Sequence, residues 1–298
     1  MIKNVLICGI GAVGSVFAHK ILENFDGSLK VLVDEKRLKN YTDNPPVLNG
    51  KTLNFDYILP EAKDYKADLI IIAVKFMNLD EAVKNIENFV YKNTLIIPLL
   101  NGVTSEETVA AKYGREHVLY SYFIGHSAMR TGNEVTSGSL NKIVFGSEVP
   151  YEERILRMKK FFDKVKIDYR IPEDIKRSLW LKFMMNVPSN QLSAVLRMTF
   201  GEMTGSEKIM DLMVKIMKEV EAVARAHGIK NTETMIDETL ENLKLMTPEG
   251  KTSMLQDIEA GRKTEVEMFA GVMVEFGKKY NIPTPYNQAL KDIIEAMV

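Results

Sequence analysis

The sequence has a single cysteine among its 298 residues, Cys8, so an intrachain disulfide is excluded. It also has no run of about 18 apolar residues, the length that a membrane-spanning helix requires. Residues 1–9 carry one lysine and a short apolar run that ends at glycine, a pattern that favours a β-strand over a signal peptide. We therefore expect a cytoplasmic protein with Cys8 as a small core residue.

The sequence also lacks an excess of positive or negative charge. Lys and Arg number 39 against 40 Asp and Glu, which leaves a formal net charge of -1. Nucleic acid and anionic membranes are attracted by broad positive charge, so neither is an expected partner. The four histidines show no ligand spacing and no Cys or acidic cluster beside them, so no metal site is expected. They are His19, His117, His126 and His227. A small molecule is the expected partner.

Two kinds of pattern divide the chain. A length of 298 residues exceeds what one hydrophobic core usually organises. Before Pro172 short apolar runs alternate with helix-like stretches, and after it apolar residues recur at helical spacing. This predicts an α/β domain with a mostly parallel sheet over residues 1–172 and an all-α domain over residues 173–298. The predicted strands are residues 5–8, 29–33, 68–74, 94–99, 118–123 and 142–145, and the predicted helices after Pro172 are residues 175–196, 207–227, 232–246, 254–280 and 286–297.

A glycine turn stands between the first predicted strand and the first predicted helix, where the sequence reads Gly-Ile-Gly-Ala-Val-Gly. Gly9 permits a tight turn, Gly11 lets the backbone approach a pyrophosphate, and Gly14 lets the helix pack close to the strand. The phosphates are expected at the helix N-terminus, where backbone amides lack partners within the helix. The turn predicts a Rossmann dinucleotide site with contacts from Gly9, Ile10, Gly11, Ala12, Val13 and Gly14.

Asp34 follows the second predicted strand, twenty residues beyond Gly14. A Rossmann domain places at this point the acid that binds a ribose 2′-hydroxyl. The carboxylate would repel a 2′-phosphate, which argues for NAD(H), yet Lys36 and Arg37 follow at once and could neutralise that phosphate. The sequence leaves NAD(H) and NADP(H) both open.

Two further polar residues follow predicted strands. Lys75 comes directly after Val74, and Asn101 comes directly after Leu100. Ligands of such folds bind at the carboxyl edge of the sheet, so a cation and an amide are expected there. For either residue alone, a solvated loop position is an equally good interpretation.

A polar row runs along the first helix after Pro172. Lys182, Asn186 and Asn190 recur every four residues in an otherwise apolar stretch, so their side chains share one face of the helix. Polar groups taken out of water require partners, so the row must face core partners or a ligand. Pro188 removes one backbone hydrogen bond, and we expect a kink there that frees carbonyls near the row.

A second group of polar residues falls in the predicted helix 254–280. Its pattern places Glu265 on the apolar side, where a carboxylate needs a cationic partner such as Lys182. Ser253 and Gln256 fit a capping box, which gives Ser253 a structural role as the helix cap. The alternative is that Ser253 and the free amides of this helix start bind an anionic group of the substrate.

These residues together resemble the ketopantoate reductase family, the 2-dehydropantoate 2-reductases. The resemblance runs in order along nearly the whole chain, through the glycine turn, Lys75, Asn101, the polar row, and the segment from Ser253 to Glu265. It implies an N-terminal Rossmann domain that binds NADPH and a C-terminal helical domain that closes over ketopantoate. The implied activity is reduction of ketopantoate to pantoate in pantothenate biosynthesis.

The resemblance also implies a role for each site residue. Lys182 would be the general acid and Glu265 the group that positions it. Substrate contacts would come from Asn186, Asn190, Ser253 and Asn101, and contacts near the cofactor from Lys75 and Asn101. The chemistry fits, because hydride delivered to a ketone builds negative charge on oxygen, which an ammonium stabilises and then protonates.

Two residues depart from the pattern of that family. Phe200 precedes Gly201 and Glu202, where family members carry a substrate-binding Asn. A phenyl ring in place of an amide removes a hydrogen bond to the substrate and favours an apolar group there. Asp34 stands where members that use NADPH commonly offer Arg. Both departures point toward an NAD-linked relative.

Two alternatives therefore stay open. One is an NAD-dependent D-2-hydroxyacid dehydrogenase of the D-mandelate type, which acts on branched or aromatic 2-keto acids. The other is a non-catalytic nucleotide-sensing module, against which the presence of both Lys182 and Glu265 counts. The helical domain offers apolar surface that a homodimer could bury.

Overall fold

The computed structural model describes residues 1–125, 128–138, 141–149 and 152–297, so His126 lies outside the described residues. The chain divides into two compact units, Met1–Ile175 and Lys176–Val298. The strands of the first unit are β1 (Asn4–Cys8), β2 (Ser28–Leu32), β3 (Val47–Leu48), β4 (Lys51–Thr52), β5 (Asp56–Ile58), β6 (Leu69–Ile72), β7 (Leu95–Pro98), β8 (Tyr120–Gly125), β9 (Met129–Thr131), β10 (Glu134–Thr136), β11 (Asn141–Gly146) and β12 (Asp168–Arg170). Its helices are α1 (Ala12–Asn24), α2 (Glu35–Asp43), α3 (Leu79–Asn85), α4 (Ser105–Tyr113) and α5 (Glu153–Lys164), with short 3-10 turns at Phe76–Asn78, Glu87–Phe89 and Arg115–His117.

A five-stranded parallel sheet with the order β5-β2-β1-β6-β7 forms the centre of the first unit. Along β1, Val5 and Ile7 pack into one hydrophobic cluster, whereas Leu6 and Cys8 pack into another on the opposite face. A parallel sheet is buried on both faces, so its strands read as continuous apolar runs. The prediction of a mostly parallel sheet is confirmed, and so is Cys8 as a core residue. Burial raises the pKa of its thiol to about 12.

The remaining strands follow another arrangement. β8 and β11 pair antiparallel, with β12 parallel to β11, in a separate three-stranded sheet. The prediction that residues 142–145 extend the parallel sheet is therefore wrong, whereas for residues 118–123 it holds only at Val118, which forms a parallel bridge with Ile96 of β7. An apolar run shows that a strand is buried but not in which direction it pairs. β3, β4, β9 and β10 form a small sheet of their own, and they are too short to show a period in the sequence.

In the described part of the second unit, the regular secondary structure is helical. Its helices are α6 (Ile175–Leu196), α7 (Phe200–Thr204), α8 (Glu207–Ala226), α9 (Met235–Lys244), α10 (Ser253–Glu259), α11 (Val272–Tyr280) and α12 (Pro285–Ala296), with a 3-10 turn at Thr232–Thr234 and a π-helical turn at Glu267–Gly271. The predicted helix 175–196 has the same bounds as α6. Among the described residues, no helix combines the length and the apolar character needed to cross a membrane.

The predicted helix 254–280 is wrong, because the chain breaks it into two. α10 ends at Glu259, and Gly261 follows with a φ of 61°. The Arg262 amide donates to the Asp257 carbonyl at 2.8 Å and the Gly261 amide donates to the Ile258 carbonyl at 3.1 Å. These two bonds form the Schellman motif that ends many helices. The helical spacing of apolar residues continues across this break, so the sequence pattern does not show it.

Candidate functional site

The glycine turn has the shape that a dinucleotide requires. Gly9 adopts a φ of 97°, and a Cβ there would lie 2.6 Å from the Ala73 carbonyl oxygen. A Cβ at Gly14 would lie 2.0 Å from the Gly9 carbonyl oxygen, so neither position accepts a side chain. A Cβ at Gly11 would meet nothing within 4 Å, and no side chain caps the start of α1. The turn thus offers unhindered backbone amides at a helix N-terminus, which fits a pyrophosphate.

An arginine that the sequence analysis missed supports this turn. The guanidinium of Arg130 donates through Nη1 to the Ile10 carbonyl at 2.6 Å, and the Ser15 hydroxyl donates to the same carbonyl at 3.0 Å. The Arg130 guanidinium also lies over the Tyr41 ring, 5.5 Å from its centroid. Arg130 belongs to β9, whose three residues gave no signal of a strand. A cation is thereby held beside the glycine turn.

Asp34 lies directly after β2 and caps α2. Its Oδ1 accepts from the Arg37 amide at 2.6 Å, and its Oδ2 accepts from the Arg37 guanidinium at 2.5 Å. The Lys36 side chain is exposed. Of the two cations that could neutralise a 2′-phosphate, Arg37 is therefore already paired with Asp34.

Lys75 and Asn101 follow neighbouring strands of the parallel sheet. Ile72 at the end of β6 pairs with Pro98 at the end of β7, so the two residues leave the sheet at the same edge. Lys75 is exposed and its carbonyl accepts from the Asn78 amide at 2.9 Å. Asn101 is half-buried and precedes Gly102, which has a φ of 93°. The geometry agrees with the predicted carboxyl-edge position of both.

A buried acid close to this edge gave no signal in the sequence. The Glu106 carboxylate accepts from the Ser121 amide at 3.1 Å and from the Ser105 hydroxyl at 2.9 Å. The Ser121 hydroxyl in turn donates to the Pro98 carbonyl at 2.6 Å, which ties the network to the end of β7. Burial raises the pKa of Glu106 to about 7, although both hydrogen bonds oppose that shift.

The polar row of the second unit lies on α6. Lys182 and Asn186 are half-buried, and Asn190 is only 6% exposed. Pro188 lies inside the helix, and the three side chains after it donate to carbonyls four residues earlier. These bonds run from Ser189 to Met185 at 2.7 Å, from Asn190 to Asn186 at 3.2 Å, and from Gln191 to Val187 at 3.0 Å. Side chains thus donate to three carbonyls of the turn that precedes the proline.

The structure brings Asn190 and Ser253 together. The Oδ1 atom of Asn190 accepts from the Ser253 hydroxyl at 3.0 Å and from the Met254 amide at 3.2 Å. The expected cap role of Ser253 is wrong, because Thr252 caps α10 by accepting from the Leu255 amide at 3.2 Å. The cap lies one residue earlier, at a threonine, which is also a favoured residue for this position.

Glu265 lies in the connection between α10 and the next helical segment. It is half-buried, and its carbonyl accepts from the Met268 amide at 3.0 Å as the chain turns back into a helix. The expectation that Glu265 projects from a helix face is wrong, since helical structure resumes at Val266. Glu267 is exposed and forms an ion pair with Lys291 at 2.9 Å. Pairing of Glu265 with Lys182 stays a prediction.

Family models match both halves of the chain. The model described as ketopantoate reductase PanE/ApbA matches residues 5–148, and the model of its C-terminal part matches residues 174–298. The chain belongs to the ketopantoate reductase family. Its members are oxidoreductases that act on a 2-keto acid with a nicotinamide cofactor.

Individual relatives agree with this family assignment, at low sequence identity to the chain. A 2-dehydropantoate 2-reductase of Aquifex aeolicus is 27% identical and aligns over 99% of this chain and 97% of its own length. A solved 2-dehydropantoate 2-reductase from Geobacter metallireducens is 25% identical, with a TM-score of 0.85 over 99% of both chains. D-mandelate dehydrogenase, solved with NADH and anilino(oxo)acetate, is 20% identical, with a TM-score of 0.88 over 98% of this chain and 97% of its own. That last likeness is one of fold.

Phe200 departs from the pattern noted for ketopantoate reductases, and the structure shows where it lies. The residue is 9% exposed, its amide donates to the Gly250 carbonyl at 3.0 Å, and its ring would be 3.3 Å from a Cβ at Gly250. Thr199 and Glu202 form a capping box around it that starts α7. Packing against the turn at Gly250 thus accounts for an apolar residue at this position.

Metal ligation finds no support in the described residues. Within them, no three His, Cys, Asp or Glu side chains are grouped so that they could hold a metal ion.

Proposed function

We propose that this ketopantoate reductase family member reduces ketopantoate to pantoate in pantothenate biosynthesis. The observation that carries the proposal is the polar row on α6, in which Lys182 and Asn186 remain half-buried and Asn190 is buried in an apolar helix. An ammonium and two amides suit a substrate that carries a carboxylate and a ketone.

Lys182 is proposed as the general acid of the reaction. A reduced nicotinamide supplies the hydride when it is bound. The ammonium stabilises the negative charge that develops on the ketone oxygen and then transfers its proton to that oxygen. Glu265 is proposed to hold the ammonium in place, and Asn186 to orient the substrate without adding charge. Asn101 and Lys75, at one edge of the sheet, are proposed to contact substrate and cofactor.

NADH is proposed as the favoured cofactor. The support comes from Asp34, whose carboxylate remains at the end of β2 and is paired with Arg37. A ribose 2′-hydroxyl can donate to this carboxylate without breaking the pair, whereas a 2′-phosphate would meet its negative charge. NADPH would have to draw Arg37 away from Asp34 before the arginine could bind the phosphate.

A second candidate is a D-2-hydroxyacid dehydrogenase that acts on branched or aromatic 2-keto acids. Phe200 favours it, because a phenyl ring offers no hydrogen bond to a substrate hydroxyl. The burial of Phe200 against Gly250 weakens this argument, since packing alone already explains the ring.

Initial rates followed at the nicotinamide absorbance test both candidates. Ketopantoate, phenylpyruvate and 2-ketoisocaproate are each assayed with NADH and with NADPH. We expect the highest kcat/KM with ketopantoate and NADH. Turnover confined to phenylpyruvate or 2-ketoisocaproate would reject ketopantoate in favour of the dehydrogenase, and no turnover of any 2-keto acid would support a nucleotide sensor.

A further inference from the structure

We propose that Glu106 is a positioning residue that fixes the Asn101 loop, residues 99–104 between β7 and α4, against the start of β8. The inference rests on the proposed function, since it takes Asn101 to contact the substrate and the cofactor. It gives a role to a buried acid that the proposed mechanism does not use.

The Asn101 loop connects the end of a strand to the start of a helix. β7 ends at Pro98 and α4 begins at Ser105. Residues 101–104 are bends that belong to neither a helix nor a strand, and Gly102 adopts a φ of 93°. Loops are more mobile than the elements that they connect. The position of Asn101 therefore depends on how the two ends of the loop are held.

Glu106 and Ser121 together hold both ends of this loop. At the first end the Ser121 hydroxyl donates to the Pro98 carbonyl at 2.6 Å. At the second end the Ser105 hydroxyl donates to Oε2 of Glu106 at 2.9 Å. The Ser121 amide completes the connection by donating to Oε1 of Glu106 at 3.1 Å. The two ends of the loop are thus joined to each other through one residue of β8.

Burial makes these hydrogen bonds difficult to replace. Glu106 is 1% exposed, and Ser105 and Ser121 are buried as well. When one partner of a buried pair is removed, the other is left without the water that would satisfy it at the surface. Release of either end of the loop is therefore unfavourable.

The connection can persist when the charge of Glu106 changes. Burial raises the pKa of Glu106 to about 7, so the protonated and the ionised group are both populated near neutral pH. An ionised carboxylate accepts from both serines. A protonated one accepts from the Ser121 amide through one oxygen and can donate to the Ser105 hydroxyl through the other, as a glutamine could. Positioning thus requires the shape of this side chain and not its charge.

A double-mutant cycle between Glu106 and Asn101 tests the proposal. The two readouts are the dissociation constant of NADH, from calorimetric titration, and kcat/KM for ketopantoate. We expect Glu106→Ala to worsen each about tenfold, the effect of one hydrogen bond, and to add no further loss in the Asn101→Ala background. Glu106→Gln should match the unmodified protein. Lys112→Ala, at an exposed position of the same helix, is the control.

Three results of this cycle would overturn the proposal. The first is additive losses, because Glu106 would then not act through Asn101. The second is a loss in Glu106→Gln as large as in Glu106→Ala, and the third is an Asn101→Ala variant with unchanged NADH affinity and turnover. Absence of turnover of any 2-keto acid by the unmodified protein would reject the proposed function, and the NADH cycle would then decide the positioning role by itself.

Hydrogen exchange of the peptide that contains residues 99–104 shows directly whether the loop is released. Glu106→Ala should raise exchange in this peptide, whereas Glu106→Gln should not. Unchanged exchange in Glu106→Ala would overturn the proposal. Thermal melts establish that each variant is folded. If Glu106→Ala is not, Ser105→Ala and Ser121→Ala carry the same cycle, since each removes one hydroxyl and leaves the carboxylate in place.

Discussion

The candidate binding residues of the two units are of different kinds. In the first unit the glycine turn is made of backbone, and its three glycines leave room for a ligand or for neighbouring chain. In the second unit the site is made of side chains, with the row on α6 and Ser253 joined through the amide of Asn190. A backbone site is specified by which residues must be small, whereas a side-chain site is specified by which groups donate and which accept.

The largest expected effect is a loss of catalytic rate without a loss of nucleotide binding. Lys182→Ala removes the proposed general acid from the second unit and leaves the glycine turn intact. We expect kcat to fall by about 10²–10⁴-fold, while the affinity for NADH in a calorimetric titration stays unchanged. Lys208→Ala, an exposed lysine on α8, is the control. A variant of Lys182 that retains its turnover would show that the row on α6 serves another purpose, such as sensing.

Variants of two glycines in the turn distinguish a glycine required for packing from one required for ligand approach. Gly14→Ala would place a Cβ 2.0 Å from the Gly9 carbonyl oxygen, so we expect a loss of roughly 1–3 kcal/mol in the free energy of unfolding, or more. Gly11→Ala meets open space in the folded protein, so its stability should be unchanged and only its affinity for the cofactor should fall. Urea unfolding and cofactor titration distinguish the two. Equal stability loss in both variants would contradict the assignment of Gly11 to ligand approach.

The sequence predicted the backbone site well because its signals are local. The glycine spacing, the strand before it and the acid at residue 34 all lie within one stretch of chain, and the structure has them in the predicted places. For the side-chain site, the sequence predicted which residues take part but not which of them contact one another. Asn190 and Ser253 are 63 residues apart, and no periodicity shows that one donates to the other.

Errors in the second unit have identifiable physical causes. The helix 254–280 was predicted as continuous because apolar spacing continued across Gly261, although a glycine in the left-handed conformation is the usual helix end. Thr252 replaced Ser253 as the cap because both residue types can fill that position. In the first unit, Arg130 was missed because its strand has three residues and shows no pattern.

A buried acid in the first unit predicts that the stability of the protein depends on pH. Burial raises the pKa of Glu106 from 4.5 to about 7 in the folded protein, so the folded state holds a proton that the unfolded chain has lost between these two values. Stability should therefore fall as pH rises from about 4.5 to about 7, by at most about 3 kcal/mol.

Glu106→Gln tests this effect by replacing the acid with a neutral group of the same shape. The variant should show a weaker decline in urea-unfolding free energy between pH 5 and pH 8 than the unmodified protein. Glu61→Gln, at an exposed position of the same unit, should keep the full decline. If Glu106→Gln declined as steeply as the unmodified protein, another group would have to be the source of the pH dependence.

The smallest expected effect concerns cofactor choice at the end of β2. Asp34→Ala releases Arg37 from its ion pair and removes the charge that opposes a 2′-phosphate, so we expect the ratio of kcat/KM for NADPH to that for NADH to rise about tenfold. Arg37→Ala should lower the same ratio, because no cation at residue 37 then remains to bind the phosphate. Lys39→Ala, which changes an exposed charge on the same helix, is the matched control. Opposite shifts in the two variants would show that the balance between Asp34 and Arg37 sets the preference, and a rise in both would mean that Arg37 acts only as the partner of Asp34.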